Sequence, residues 1–222
     1  MSKTTLTPVH FFSHGSTMML GEESASATYW KKCGDEALAN GVQHVVMMVG
    51  LQPGAPLVLS HRLTISLQGA HWAASGDAIE VAANPSPAKS PVAYVDPAKY
   101  TAYELKADLP MADRCVELLQ QAGFNAKLNH KFDWIHDTYL ILIRMFPGGC
   151  PPTTIISMNA RYDPHYHVKV GTALRPLRKE NVLFVGTGGA VHNLYRNNWS
   201  QMLMYRGKYL CNLHMKAHRY SF

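Results

Sequence analysis

Three of the twelve histidines stand in short, turn-like settings: Ser13-His14-Gly15-Ser16, Gly69-Ala70-His71-Trp72 and Val191-His192-Asn193-Leu194. Neutral imidazole is the commonest side-chain ligand for a transition metal, and it also exchanges a proton near pH 7. A lone histidine is usually a surface or packing residue, so position must argue for more. His14 follows the apolar run Thr7 to Phe12, and the small residues after it let backbone and ligand approach closely. His71 precedes Trp72, which is suited to wall an apolar pocket, and His192 follows the glycine-rich turn Thr187-Gly188-Gly189-Ala190. Two imidazoles from adjacent strand ends plus a third ligand are the ordinary start of a mononuclear non-haem iron site, which keeps other positions open for substrate.

The elements that must position these residues alternate between strand and helix. Thr7 to Phe12 reads as a buried first strand, and Glu23 to Asn40 as a helix closed by Gly41. His44 to Met48 reads as the second strand. Asp108 to Ala122 carries an Asp cap, Pro110 in the first turn and Gly123 as the stop. Phe124 to Leu128 is a short strand, followed by the aromatic segment Phe132 to Pro147. Thr153 to Asn159 is a β-branched strand, Asp163-Pro164 opens a helix to about Leu177, and Asn181 to Gly186 is a last buried strand. Asn84 to Pro110 is long for a connection and reads as a functional loop. The alternation predicts an α/β protein, a three-layer α/β/α domain over residues 1–222 with histidines at strand carboxyl ends, where sites collect in open sheets.

Composition narrows the classes. The chain has 222 residues, 47% of them hydrophobic, enough for one substantial core. No stretch approaches a membrane span and the amino-terminal residues lack a signal-peptide pattern, so the expectation is a cytoplasmic protein without membrane contact. Cys33, Cys115, Cys150 and Cys211 are scattered, which suits reduced, buried thiols. The net charge of +6 arises from 21 basic against 15 acidic residues, and Arg62, Lys208, Lys216 and Arg219 fall in two segments set apart below. Most of the excess therefore lies outside the domain proper, and no nucleic-acid footprint is expected.

The three histidine motifs, with the stretch Phe184-Val185-Gly186-Thr187-Gly188-Gly189-Ala190-Val191-His192-Asn193-Leu194, resemble the class III extradiol ring-cleavage dioxygenases of the LigB type, in particular their DOPA 4,5-dioxygenase branch. The resemblance implies a central mixed sheet and a metal held by His14, His71 and His192. It implies Fe(II), with Zn the alternative, and a small catechol substrate cleaved with O2. In this resemblance His192 is either a ligand or the acid/base, and His136 touches substrate or dioxygen. Around His136 the chain has Ile135 and Asp137 where the family has aspartate and glycine, and Thr17 stands where the first motif usually has proline. His167 matches a further family histidine, read as supporting the site rather than binding metal. His165 and His167 are two apart and cannot share a helix face. His10, His44 and His130 are assigned to packing or surface.

Two segments depart from the resemblance. Val49 to Gln68 looks like an insertion, because removing it joins Met48 to Gly69 as one strand ending at His71. Gly207 to Phe222 looks like a tail foreign to the family, where a further ligand is expected; His214 and His218 are weak substitutes. Both segments read as intron sequence translated in frame. On this reading the chain is a catalytically inactive, truncated homologue, and a zinc-dependent hydrolase on a similar scaffold is the remaining alternative. Sequencing of cDNA is expected to find a message lacking the codons for residues 49–68; an active message that always retains them overturns the intron reading.

Overall fold

The computed structural model describes residues 6–13, 23–49, 72–92 and 95–188. The chain divides into two compact units, Met1–Ala190 and Val191–Phe222, and every described residue belongs to the first. Among these residues the strands are β1 Val9–Ser13, β2 His44–Val49, β3 Ala73–Ala74, β4 Ala78–Ala82, β5 Asn125–Asn129, β6 Thr153–Ile156, β7 Met158–Asn159 and β8 Val182–Gly188. The α-helices are α1 Ala25–Ala39, α2 Leu109–Gln121, α3 His136–Met145 and α4 Pro164–Leu174, with short 3-10 turns at Pro97–Lys99 and Arg175–Lys179.

Six strands form one sheet in the order β1-β8-β2-β6-β4-β5. β1, β8, β2 and β6 are parallel, β4 runs antiparallel to β6 through Val81 and Ile156, and β5 is parallel to β4. The sheet is thus mixed, as the family resemblance implies. β3 and β7 pair separately as a two-stranded parallel ribbon.

Helices lie on both faces because each strand of the sheet centre alternates its side chains between two apolar layers. On the first face Val45, Met47, Ile155, Leu183 and Val185 meet Trp30, Cys33 and Ala37 of α1 and Leu140, Ile141 and Met145 of α3. On the second, Val46, Ile156 and Val182 meet Ala112, Cys115 and Leu119 of α2 and Val170 and Leu174 of α4. Cys33, Cys115 and Cys150 are buried free thiols. The second face is less covered over β1, where Val9 is 59% and Phe11 69% exposed. A groove of about 420 Å³ there is lined by Phe11, Met48, Val168, Leu174, Arg175 and Phe184.

Local signals account for two helices. Ser24 Oγ accepts from the Ala27 amide at 3.1 Å to start α1, and Asp108 Oδ1 accepts from Met111 at 3.1 Å to start α2. Gly123, at φ 85°, takes the left-handed conformation that ends α2. Three elements differ from the sequence reading. Helix α3 occupies the middle of the aromatic segment. The strand expected over Thr153 to Asn159 breaks at Ser157, whose backbone and hydroxyl bond Glu80 while the chain crosses to pair with β3. The last helix stops at Leu174 and tightens into a 3-10 turn containing Pro176.

Helices α1 and α3 approach so closely at Gly34 that an added Cβ would lie 2.1 Å from the Met145 carbonyl oxygen. Backbone cannot yield as a flexible side chain does. Gly34→Ala is therefore expected to lower the unfolding free energy by about 1–3 kcal/mol in urea titration. Gly171→Ala, on open helix surface with nothing near its Cβ, is expected to be neutral or to stabilise by up to about 1 kcal/mol.

Candidate active site

The carboxyl ends of three parallel strands lie side by side. Ser13, the last residue of β1, is level with Gly188, the last of β8, and Val49, the last of β2, is level with Thr187. His14 directly follows Ser13, His71 directly precedes Trp72, and His192 lies four residues beyond Gly188 in sequence. All three lie outside the described residues. Of the residues expected to act, His136 alone is described.

His136 opens α3. The other end of α3 returns through Phe146 to Pro152, whose carbonyl accepts from Val45 near the amino end of β2. The first turn of α3 therefore points toward the carboxyl ends of the strands. The segment entering it is tied to the neighbourhood of His71: the Trp72 indole stacks on Phe132 with ring centroids 3.8 Å apart and planes 13° apart. Trp72 is held from its other side by the Met158 amide, which donates to its carbonyl at 2.9 Å. The structure thus brings the residue after His71 against the residue four before His136, a link that no local pattern revealed.

The apolar first layer contains three buried polar side chains. Asp137 and Thr138, in the first turn of α3, and Thr187, at the end of β8, are all fully buried. Thr187 shares the strand face of Leu183 and Val185, the face that α3 covers. Its hydroxyl and that of Thr138 have no hydrogen-bond partner among the described residues. Burial pushes the Asp137 carboxyl up to about 7, because the charged form loses its solvation.

The other described histidines have partners or surface positions of their own, and His61, His214 and His218 lie outside the described residues. His44 sits at the amino end of β2, remote from the strand carboxyl ends, with Nδ1 2.6 Å from Asp108 Oδ2. His10 stacks on Phe12, His130 Nδ1 lies 3.2 Å from the Ala83 carbonyl, and His165 is exposed. His167 is half-buried and hydrogen-bonded at both ring nitrogens. Among the described residues no three His, Cys, Asp or Glu side chains converge as metal ligands. The residues expected from sequence to hold a metal, His14, His71 and His192, lie outside the described residues; imidazole is a donor that borderline divalent ions such as Fe(II) and Zn(II) take. The Thr187 hydroxyl, buried at the end of β8 without a partner among the described residues, is free to bond a polar group.

Comparison with known proteins decides the family. Residues 8–210 match the LigB family, described as the catalytic LigB subunit of aromatic ring-opening dioxygenase. The chain belongs to the LigB family. The match includes all three histidine motifs and reaches Leu210, into the tail set apart at Gly207. The 4,5-DOPA dioxygenase extradiol of Portulaca grandiflora is 30% identical over 192 residues, covering 82% of this chain and 60% of that protein. The protein of the same name from Escherichia coli K12 is 26% identical over 200 residues, covering 90% and 65%. Dioxygenase tasH of Hapsidospora irregularis is 29% identical over 132 residues, covering 59% and 41%. The chain thus spans less than two thirds of the length of these relatives. The crystal structure of an uncharacterized Escherichia coli K12 protein superposes with a TM-score of 0.60 at 24% identity, covering 87% of this chain and 64% of that one, and shares the fold.

The raised Asp137 pKa sets a pH dependence. The folded protein holds this proton up to about pH 7, whereas the unfolded chain releases it near pH 4. The stabilisation is complete below the unfolded value, is lost as pH rises to about 7, and stays lost above, a change on the order of 4 kcal/mol. Asp137→Asn is expected to flatten the fall in stability between pH 4 and 7, measured by urea unfolding at several pH values.

Proposed function

We propose that this LigB-family chain is built for extradiol cleavage of a catechol ring with O2, using a non-haem metal held by His14, His71 and His192. The alignment of the β1, β8 and β2 carboxyl ends supports this reading, because two of the three histidine motifs border those strands and the third borders the Trp72–Phe132 stack. The names of the relatives support the reaction class. Fe(II) is the proposed metal, and when bound it supplies the redox chemistry by which O2 attacks an aromatic ring.

The chain's own residues have separate tasks in this reading. His14 and His71 hold the metal. His192 is a ligand or holds and delivers the proton that the catechol hydroxyl gives up, since imidazole exchanges protons near working pH. His136 bonds substrate or dioxygen from the first turn of α3. Trp72 and Phe132 exclude water beside the site, which strengthens electrostatic interactions within it. The substrate is DOPA-like or protocatechuate-like. Reduced Cys33, Cys115 and Cys150 support a cytoplasmic setting, and no described helix is long and apolar enough to cross a membrane.

Anaerobic reconstitution with Fe(II), followed by oxygen uptake with a panel of catechols, tests this function. His14→Ala and His71→Ala are each expected to lose both bound iron and at least 100-fold in turnover. His136→Ala is expected to keep iron and lose turnover. For His192→Ala, loss of turnover with iron retained assigns acid/base duty, and loss of iron assigns a ligand. Binding of Zn with ester hydrolysis and no oxygen uptake overturns the proposal. Failure of the chain to turn over, with activity gained when residues 49–68 are removed and the carboxyl-terminal part of a relative is grafted on, assigns the inactive-homologue reading to this polypeptide.

A further inference from the structure

We propose that His167 is a positioning residue: its imidazole fixes the β3–β7 ribbon and through it Trp72, the residue that follows His71 in sequence. His167 Nδ1 lies 2.7 Å from the carbonyl oxygen of Asp163, the residue that caps its own helix, and Nε2 lies 3.0 Å from the Asn159 amide nitrogen. A carbonyl only accepts and an amide N–H only donates, so Nδ1 carries the proton and Nε2 offers its lone pair. Both ring nitrogens are committed to backbone, leaving neither for a metal or a substrate proton.

Asn159 is the hub that this imidazole grips. It is 1% exposed, and its side-chain nitrogen donates to the carbonyls of Ala78 and Gly76, at 3.0 and 3.2 Å, at the start of β4. Its side-chain oxygen accepts from the Arg161 amide at 3.1 Å. As the last residue of β7 it pairs with Ala74, while Met158 pairs with Ala73 and donates to the Trp72 carbonyl. β3 and β7 are two residues each, so their pairing has little strength of its own. The imidazole supplies from α4 the rigidity that so short a ribbon lacks. Trp72 is then clamped between the Met158 amide and the Phe132 ring, next to His71 in sequence.

The effect on metal binding rests on the proposed function; the effect on the ribbon does not. On the full chain, 15N NMR of the imidazoles is expected to show His167 as the neutral Nδ1–H tautomer. An Nε2–H tautomer overturns the proposal without any variant. His167→Leu is expected to speed amide hydrogen exchange at Asn159 by at least 10-fold and to shift the 19F resonance of fluorotryptophan at Trp72, assigned with Trp72→Phe. It is also expected to weaken Co(II) binding, read by optical absorption, by 10–100-fold, the usual cost of removing support from a ligand. His167→Gln, whose side-chain oxygen reaches as far as Nε2, is expected to restore most of all three. Lost turnover with exchange, 19F shift and Co(II) affinity unchanged would make His167 a catalytic acid or base and would falsify the positioning role. If the unaltered chain binds no Co(II), the proposed function fails, and exchange and 19F shifts still decide the role of His167.

Discussion

The pairing of β8 between β1 and β2 is the constraint on which the rest of the described structure depends. β8 is last in sequence among the described strands, yet it lies between the first and the second of them, and both its ladders are parallel. Neither neighbour can pair with the other in its absence, so strands widely separated in sequence must meet before the sheet centre exists. Side chains alternate along a strand, so a slip of one residue in β8 would turn Leu183, Val185 and Thr187 away from α1 and α3 and put Phe184 in their place. The apolar layers tolerate only one register, and that register makes β1, β2 and β8 end together. Three strand ends and one helix amino terminus define the neighbourhood of the proposed site.

Placing polar groups at that edge has a cost in stability. Asp137, Thr138 and Thr187 occupy an otherwise apolar layer, and the Asp137 carboxyl is driven toward its neutral form. Core residues chosen for stability alone would be apolar here. Asp137 and Thr138 directly follow His136 in the first turn of α3, and Thr187 ends β8. The β3–β7 ribbon is a second concession: two short strands that depend on Asn159 and His167 for their order.

The legibility of the elements in sequence follows from how local their causes are. Helices α1 and α2 were plain because each has a capping side chain, one buried stripe and a glycine stop within or near it. Helix α3 lacks the first two, although Gly148 and Gly149 follow its end. Ile135 at its cap offers no side-chain acceptor, and residues 137–142 are all buried, so no polar face marks a helical period. The break at Ser157 was equally hidden, since Thr153 to Asn159 is evenly β-prone and only the meeting with Glu80 and β3 divides it. Strand β4, five residues between a turn and a loop, received no assignment from sequence for the same reason: its partners β5 and β6 lie far along the chain.

The sequence by itself determined the LigB family, the α/β class and the three histidine motifs, because each motif is a run of adjacent residues. Tertiary structure decided which polar groups are already engaged. His44 belongs to Asp108, His167 belongs to Asn159 and Asp163, and Trp72 belongs to Phe132. Capping and periodicity act over a few residues and can be read in order, whereas a hydrogen bond or ring stack between distant segments exists only after the sheet has brought them together.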